Sequence, residues 1–255
     1  MQELLRIFKP RRRLVPVLDS HSHHLPLAAL KPFYGAIEAA LTRSDSKDAV
    51  RLLFMSGWRL NGALGLRWDQ LNLDEGYCFV PPGSHGWKGF AGVMPLSDQA
   101  VSLLRSRMER RRENDGGWVF PKRHGAKGLP HMSRIADALK IVCEWAGVDR
   151  VTAHDLRRTF ASVARLAFGG ELDKVALLLG HHWALDGQPV VDTRSAITRR
   201  YIQTELPAMR AAANEAATFM MELVGVVPMS TATRSALKRA GYAAPRAEDI
   251  ALKLG

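Results

Sequence analysis

Between Leu71 and Leu96 the chain drops the helical period that governs it on both sides. The stretch "LNLDEGYCFVPPG" has the composition of strand, turn and strand, with Asp74-Glu75-Gly76 as the turn, and "AGVMPL" reads as a third strand. Upstream, Leu27, Leu30, Phe33, Ile37 and Leu41 recur at helical spacing and predict a helix from residue 26 to about 42, with a second from 46 to about 55. Downstream, helical patterning covers residues 97–112, 132–146, 152–168, 171–179 and 206–224, with two short pieces beyond. Gly116-Gly117 and Gly169-Gly170 punctuate these elements. The pattern predicts an α+β fold, mostly α-helical, with one small antiparallel sheet.

Residues 1–26, with "KPRRRLVPVLDSHSHHLP", have the Pro, Arg and His content of a basic arm or linker. The expected organisation is that arm, one main domain over 27–224 and a C-terminal helical tail over 225–255. Hydrophobic residues make up 47% of the 255, enough to bury a real core. Lysine and arginine number 36 against 25 acids, a net charge of +11. That balance suggests a polyanionic partner, although many soluble basic proteins share it. The densest basic run, "RSRMERRREND", reads as a solvated helix face with Glu109 and Glu113 interleaved.

Cys78 and Cys143 stand at neither metal nor disulfide spacing, which fits a reducing, cytoplasmic setting. The N-terminal charges follow a short apolar piece, the wrong order for a signal peptide. "FMMELVGVV" is short and carries Glu222, so no membrane span is expected.

The stretch "TAHDLRRTFAS" places Thr152 and Asp155 three residues apart, the spacing of a capping box. A helix starting there puts His154 and Arg157 on one face of its first turns. Free backbone N–H groups and the macrodipole make such a helix mouth favourable for anions. Alone, the pair reads equally well as a surface histidine beside a solvated arginine. "ELDKVALLLGHH" ends a helix at Leu179 with Gly180 as its left-handed cap, leaving His181 just past the helix end. There it can face a ligand or interact with the helix C-terminus. A zinc site at His181-His182 lacks further ligands at useful spacing, and no metal or cofactor is expected. "LLFMSGWRLNGALGLRW" sets Arg59 after a helix break at Ser56-Gly57, with Arg67 as a competing candidate. Tyr201, in "AITRRYIQTE", falls in a short polar segment before the last long helix.

Taken in order, Arg59 in "SGWRLNGALGLRW", then "HDLRRTFAS", "LLLGHH" and "TRRYIQTE" resemble the catalytic domain of the tyrosine recombinases, the phage integrase family. The resemblance covers roughly residues 27 to 210 and includes a "WVFP" strand before the middle helices. It implies that Arg59 is the first catalytic arginine, His154 and Arg157 the H-x-x-R pair, His181 the third-position histidine and Tyr201 the nucleophile. It also implies a lysine in the turn between the second and third strands, where "GSHGWKGFAGVMPL" offers Lys88.

The chemistry so implied is metal-free cleavage and rejoining of DNA through a 3′-phosphotyrosine. A phenolate attacks phosphorus, a 5′-hydroxyl leaves, and cations stabilise the charge that develops on the non-bridging oxygens. Expected partners are double-stranded DNA and further copies of the chain, as a tetramer on paired sites. The rival readings are a catalytically silent DNA-binding relative with an accessory role and a basic helical scaffold. Three departures stand out: Gly62 where the resemblance implies an acid, twenty residues between His181 and Tyr201, and only about 26 residues where the family carries an N-terminal DNA clamp. A minimal enzyme, a truncated product and a chain that takes its clamp from an accessory protein are the three expectations left open. In the first case the "KPRRR" arm would grip phosphate backbone instead.

Overall fold

The computed structural model describes residues 24–122, 128–181 and 196–242, with side chains in the last segment from Glu205 onward. Helices α1 (Leu27–Ala40), α2 (Ser44–Ser56) and the single-turn α3 (Leu60–Leu64) precede the sheet. Strands β1 (Leu71–Asn72), β2 (Tyr77–Val80) and β3 (Gly92–Pro95) follow, then α4 (Asp98–Glu109), α5 (Ala136–Ala146), α6 (Ala153–Ala167), α7 (Leu172–Leu178), α8 (Ala196–Val224) and α9 (Thr231–Arg239). The sheet is an antiparallel meander in the order β1-β2-β3, with Cys78 opposite both Leu71 and Met94. The fold is therefore mostly helical with one small sheet.

Helix α2 occupies the centre, packed against α1, α4, α5, α6 and α8. Its Val50, Leu52, Leu53 and Phe54 are fully enclosed because neighbouring helices cover its C-terminal half on all sides, while Ser44 and Asp45 at its start stay exposed. Two caps foreseen from sequence set the elements that matter below. Thr152 and Asp155 form a reciprocal capping box at the start of α6: the Asp155 N–H donates to Thr152 Oγ1 at 3.2 Å, and the Thr152 N–H donates to Asp155 Oδ2 at 2.9 Å. Gly180, at φ 61°, closes α7.

The structure departs from the sequence-based expectation in four places. Helix α5 starts at Ala136, four residues later than expected, because the Met132 N–H is already committed to the Phe120 carbonyl and His131 bridges Pro121. The "WVFP" segment forms isolated bridges, Arg67 with Trp118 and Pro121 with His131, rather than a ladder strand. Helix α8 begins ten residues before the expected start at 206 and runs through Pro207, so Tyr201 lies on a helix and not in a connecting segment. Leu25, expected in the arm, is in the core, its N–H donating to the enclosed Thr159 Oγ1 at 2.8 Å. Residues 1–23 of the arm, the second short C-terminal piece and the insertion after His181 fall outside the described residues.

Among the described residues no helix is long and apolar enough to cross a membrane. The run "RSRMERRREND" is also not simply solvated. Arg107 is buried, donating from Nε to the Val119 carbonyl at 2.6 Å and from Nη1 and Nη2 to Asp48 and Asp45 at 3.1 and 2.6 Å. Its guanidinium also lies over the Phe120 ring at 4.4 Å.

Candidate active site

Helix α2 ends at Gly57, whose positive φ of 63° turns the chain sharply into Trp58 and Arg59. No other residue fits there, since a Cβ on Gly57 would lie 2.3 Å from the Phe160 ring of α6. That close approach joins the end of α2 to the face of α6 carrying Arg157. Arg59 itself is the N-cap of α3.

Arg157 is 7% exposed and organises the site. Nη1 donates to the Gly57 carbonyl at 2.9 Å, and Nη2 donates to the Leu179 carbonyl at 2.8 Å. Nη2 also contacts Nε2 of His181 at 3.0 Å, which makes that nitrogen the acceptor. One guanidinium thus ties together the ends of α2 and α7. These are dipolar partners, not anions. Burial, and then the charge of Arg59, pull Arg157 down to about 10, so it remains cationic at neutral pH. Arg59 is lowered as well, by burial, and its Nη1 is enclosed with no hydrogen-bond partner among the described residues. Two guanidinium groups therefore share a site in which, among the described residues, no carboxylate pairs with either. An enclosed, unsatisfied donor of this kind calls for an acceptor that arrives from outside.

His154, exposed in the first turn of α6, is lowered from its ordinary value, first by partial desolvation and then by Arg158 and Arg157, with a smaller push from Lys88; Asp155 acts in the opposite sense. The electrostatic reach of Lys88 places it on the same side as His154. Lys88 is exposed in the β2–β3 connection and adopts a φ of 50°, the one positive φ outside glycine among the described residues. His181 is exposed beyond the α7 cap.

The structure thus gathers Arg59, Lys88, His154, Arg157 and His181 around the mouth of α6. Tyr201 is on α8, its side chain outside the described set. Arg67 points elsewhere, pairing with Asp69 at 3.2 Å and lying 5.0 Å over the Trp118 ring. Sequence reasoning missed Trp87, whose ring covers Gly62; the vacancy at Gly62 was the signal that something else must fill that space. A groove of about 1380 Å³ opens at the other end of α2, among Arg43, Arg110, Arg112, Lys122 and Arg134, and none of the five gathered side chains lines it. Among the described residues no cluster of His, Cys, Asp or Glu is arranged to hold a metal ion.

Residues 27–184 match the Phage integrase family. Tyrosine recombinase XerC of Xylella fastidiosa is 36% identical over 134 residues, which are 52% of this chain and 43% of that protein. The chain spans about half the length of the curated relatives it matches. Among solved structures, the integrase from mycobacterium phage Brujita superposes with a TM-score of 0.52 at 18% identity, covering 91% of this chain and 67% of that one. The XerH site-specific recombinase bound to difH substrate, a pre-cleavage complex, gives 0.50 at 20% identity, covering 76% and 54%. The match over more than half of the sequence settles the assignment: the chain belongs to the phage integrase family of tyrosine recombinases.

Proposed function

We propose that the chain is a site-specific DNA strand transferase acting through a 3′-phosphotyrosine at Tyr201. The observation that carries this reading is the Arg59–Arg157 pair, two cations beside a helix mouth without a counter-ion among the described residues, one with an enclosed donor that none of those residues meets. A phosphodiester supplies what they lack: two non-bridging oxygens of negative charge, matched by planar forks of donors.

In the proposed reaction Arg59, Arg157 and His181 hold the non-bridging oxygens of the scissile phosphate. His154, kept neutral by its surroundings, takes the phenolic proton as the Tyr201 oxygen bonds to phosphorus. The P–O5′ bond breaks, and Lys88 gives a proton to the departing 5′-oxygen. The reverse sequence with a different 5′-hydroxyl exchanges strands. Bond energy is kept in the phosphotyrosine, so no energy source is required.

Duplex DNA is the proposed partner, with tetramer assembly on paired sites, residues 27–224 as the catalytic domain and an accessory protein as a source of further DNA contacts. A cytoplasmic setting fits the two free, buried thiols. A nicked duplex made from the DNA flanking the gene tests the reading. The full chain should form a detergent-stable protein–DNA adduct on it, and Arg59→Ala and Arg157→Ala should each lower the rate roughly 10²–10³-fold, the cost of removing one oxyanion donor. Retained DNA binding with no adduct would instead favour a catalytically silent relative.

A further inference from the structure

The β2–β3 connection that carries Lys88 is attached to the rest of the site in an unusual way. Its backbone hydrogen bonds, from Ser84 to Pro81 and from Phe90 to Trp87, stay within the connection. What fastens it is ring packing. Trp87 is 3% exposed, and a Cβ built on Gly62 of α3 would lie 2.8 Å from its Cε2 and 3.0 Å from its Cδ2. The indole therefore rests directly on the α3 backbone, and any side chain at position 62 would displace it. Trp58, the neighbour of Arg59, meets the same ring edge-on at 5.3 Å between centroids, and Phe90 follows at 6.1 Å. Gly86 completes the junction. At φ 87° it comes so near α3 that a Cβ would stand 2.4 Å from the Asn61 carbonyl carbon and 2.5 Å from the Gly62 nitrogen.

Two glycines, one on each element, thus let a tryptophan bolt the connection onto the turn that presents Arg59. Lys88 is the very next residue. Its φ of 50° is a conformation that a side-chain-bearing residue keeps only where its neighbours over-determine it. Trp87, packed on Gly62, Trp58 and Phe90, is its immediate neighbour.

We propose that Trp87, seated on Gly62, is a positioning residue that fixes the Lys88 ammonium relative to Arg59. This rests on the reading of Lys88 as the proton donor to the 5′-oxygen. The packing supplies what hydrogen bonds to the body of the domain do not, and it ties the group serving the leaving oxygen to the group serving the non-bridging oxygens. A loosened connection leaves Arg59 and Arg157 in place and lets Lys88 wander.

The test compares the full chain with Lys88→Ala, Trp87→Ala, Trp87→Phe and Gly62→Ala on two nicked duplexes that differ in one atom. The scissile phosphate carries either the natural bridging 5′-oxygen or a bridging 5′-sulfur, and a thiolate departs without needing a proton. Lys88→Ala should lose roughly 10²–10⁴-fold on oxygen, the scale of general acid catalysis, and little on sulfur. Trp87→Ala and Gly62→Ala should lose roughly 10²-fold on oxygen, the scale of a small misplacement, and also recover on sulfur. Trp87→Phe should keep most of the rate on both. A Trp87→Ala defect of equal size on oxygen and sulfur, alongside a rescued Lys88→Ala, overturns the proposal. If Lys88→Ala itself is not rescued, the proton-donor role fails instead, and amide exchange over residues 81–91 decides whether Trp87 is the anchor. Faster exchange there in Trp87→Ala supports it; unchanged exchange contradicts it.

Discussion

Among the described residues Arg59 Nη1 is enclosed without a hydrogen-bond partner beside Arg157, whose guanidinium is held there by two carbonyls and an imidazole rather than by an anion. A site built in this way offers its donors to an oxyanion. Like charges in a partly buried space cost stability, and that cost is relieved when an oxyanion enters.

An oxyanion should therefore stabilise the DNA-free protein. At a phosphate or pyrophosphate concentration tenfold above Kd the expected gain is about 1.4 kcal/mol. For a chain of this size that raises Tm by roughly 2–6 °C. Arg157→Ala should lose the response. Arg59→Ala should lose it too, while raising the stability of the ligand-free protein, because it removes the charge that, after burial, depresses Arg157. Thermal unfolding with and without the anion reads all of these outcomes.

On the proposed mechanism, His154 should set the acid side of the pH profile. Its folded value is depressed below the ordinary 6.5 by desolvation and by Arg158, Arg157 and Lys88, against the pull of Asp155. As pH falls through the ordinary histidine range, the unfolded chain takes up its proton before the folded one. The contribution of His154 to stability is thus present above that range and is lost as pH falls toward the folded value. If neutral His154 accepts the phenolic proton, the acid limb of second-order cleavage should have its midpoint below 6.5. Arg158→Ala removes the largest charge acting on the imidazole and should move that midpoint upward.

Arg107 should prove structural. Asp48 is 3% exposed, accepts from both Arg107 and Arg110 and pairs with Arg51 at 3.6 Å, so Arg107→Ala takes one of three cations from a buried carboxylate and leaves the Val119 carbonyl without its partner. The expected loss is roughly 3 kcal/mol, the lower end for a broken buried pair because Arg110 and Arg51 remain. Denaturant midpoints of the variant and the parent chain measure it.

Much of this was legible in the sequence for physical reasons that differ from residue to residue. The Thr152–Asp155 box and Gly180 are local devices, complete within four or five residues, so they read directly and place His154, Arg157 and His181. The sheet was legible because the period changes from 3.6 to 2 around a glycine turn. What sequence could not carry was set by contacts between distant segments. Arg107 looks solvated until α2 brings Asp45 and Asp48 to it. Trp87 looks like one aromatic among many until Gly62 arrives beneath it. The start of α5 was misread because a backbone pairing with Phe120 competes for Met132. The start of α8 was placed at 206, whereas the helix begins at Ala196 and carries Pro207 internally.

The central claim is that Tyr201 becomes covalently bound to DNA. The direct measurement is tryptic mass spectrometry of the adduct trapped on the nicked duplex from the gene's flanking DNA, in the presence of EDTA, for the parent chain and Tyr201→Phe. The account predicts a nucleotide attached to the peptide containing Tyr201, formed without added metal, and no adduct in Tyr201→Phe although that variant still binds the duplex. An adduct mapped to another residue, an adduct that persists in Tyr201→Phe, or cleavage that stops with EDTA would contradict it.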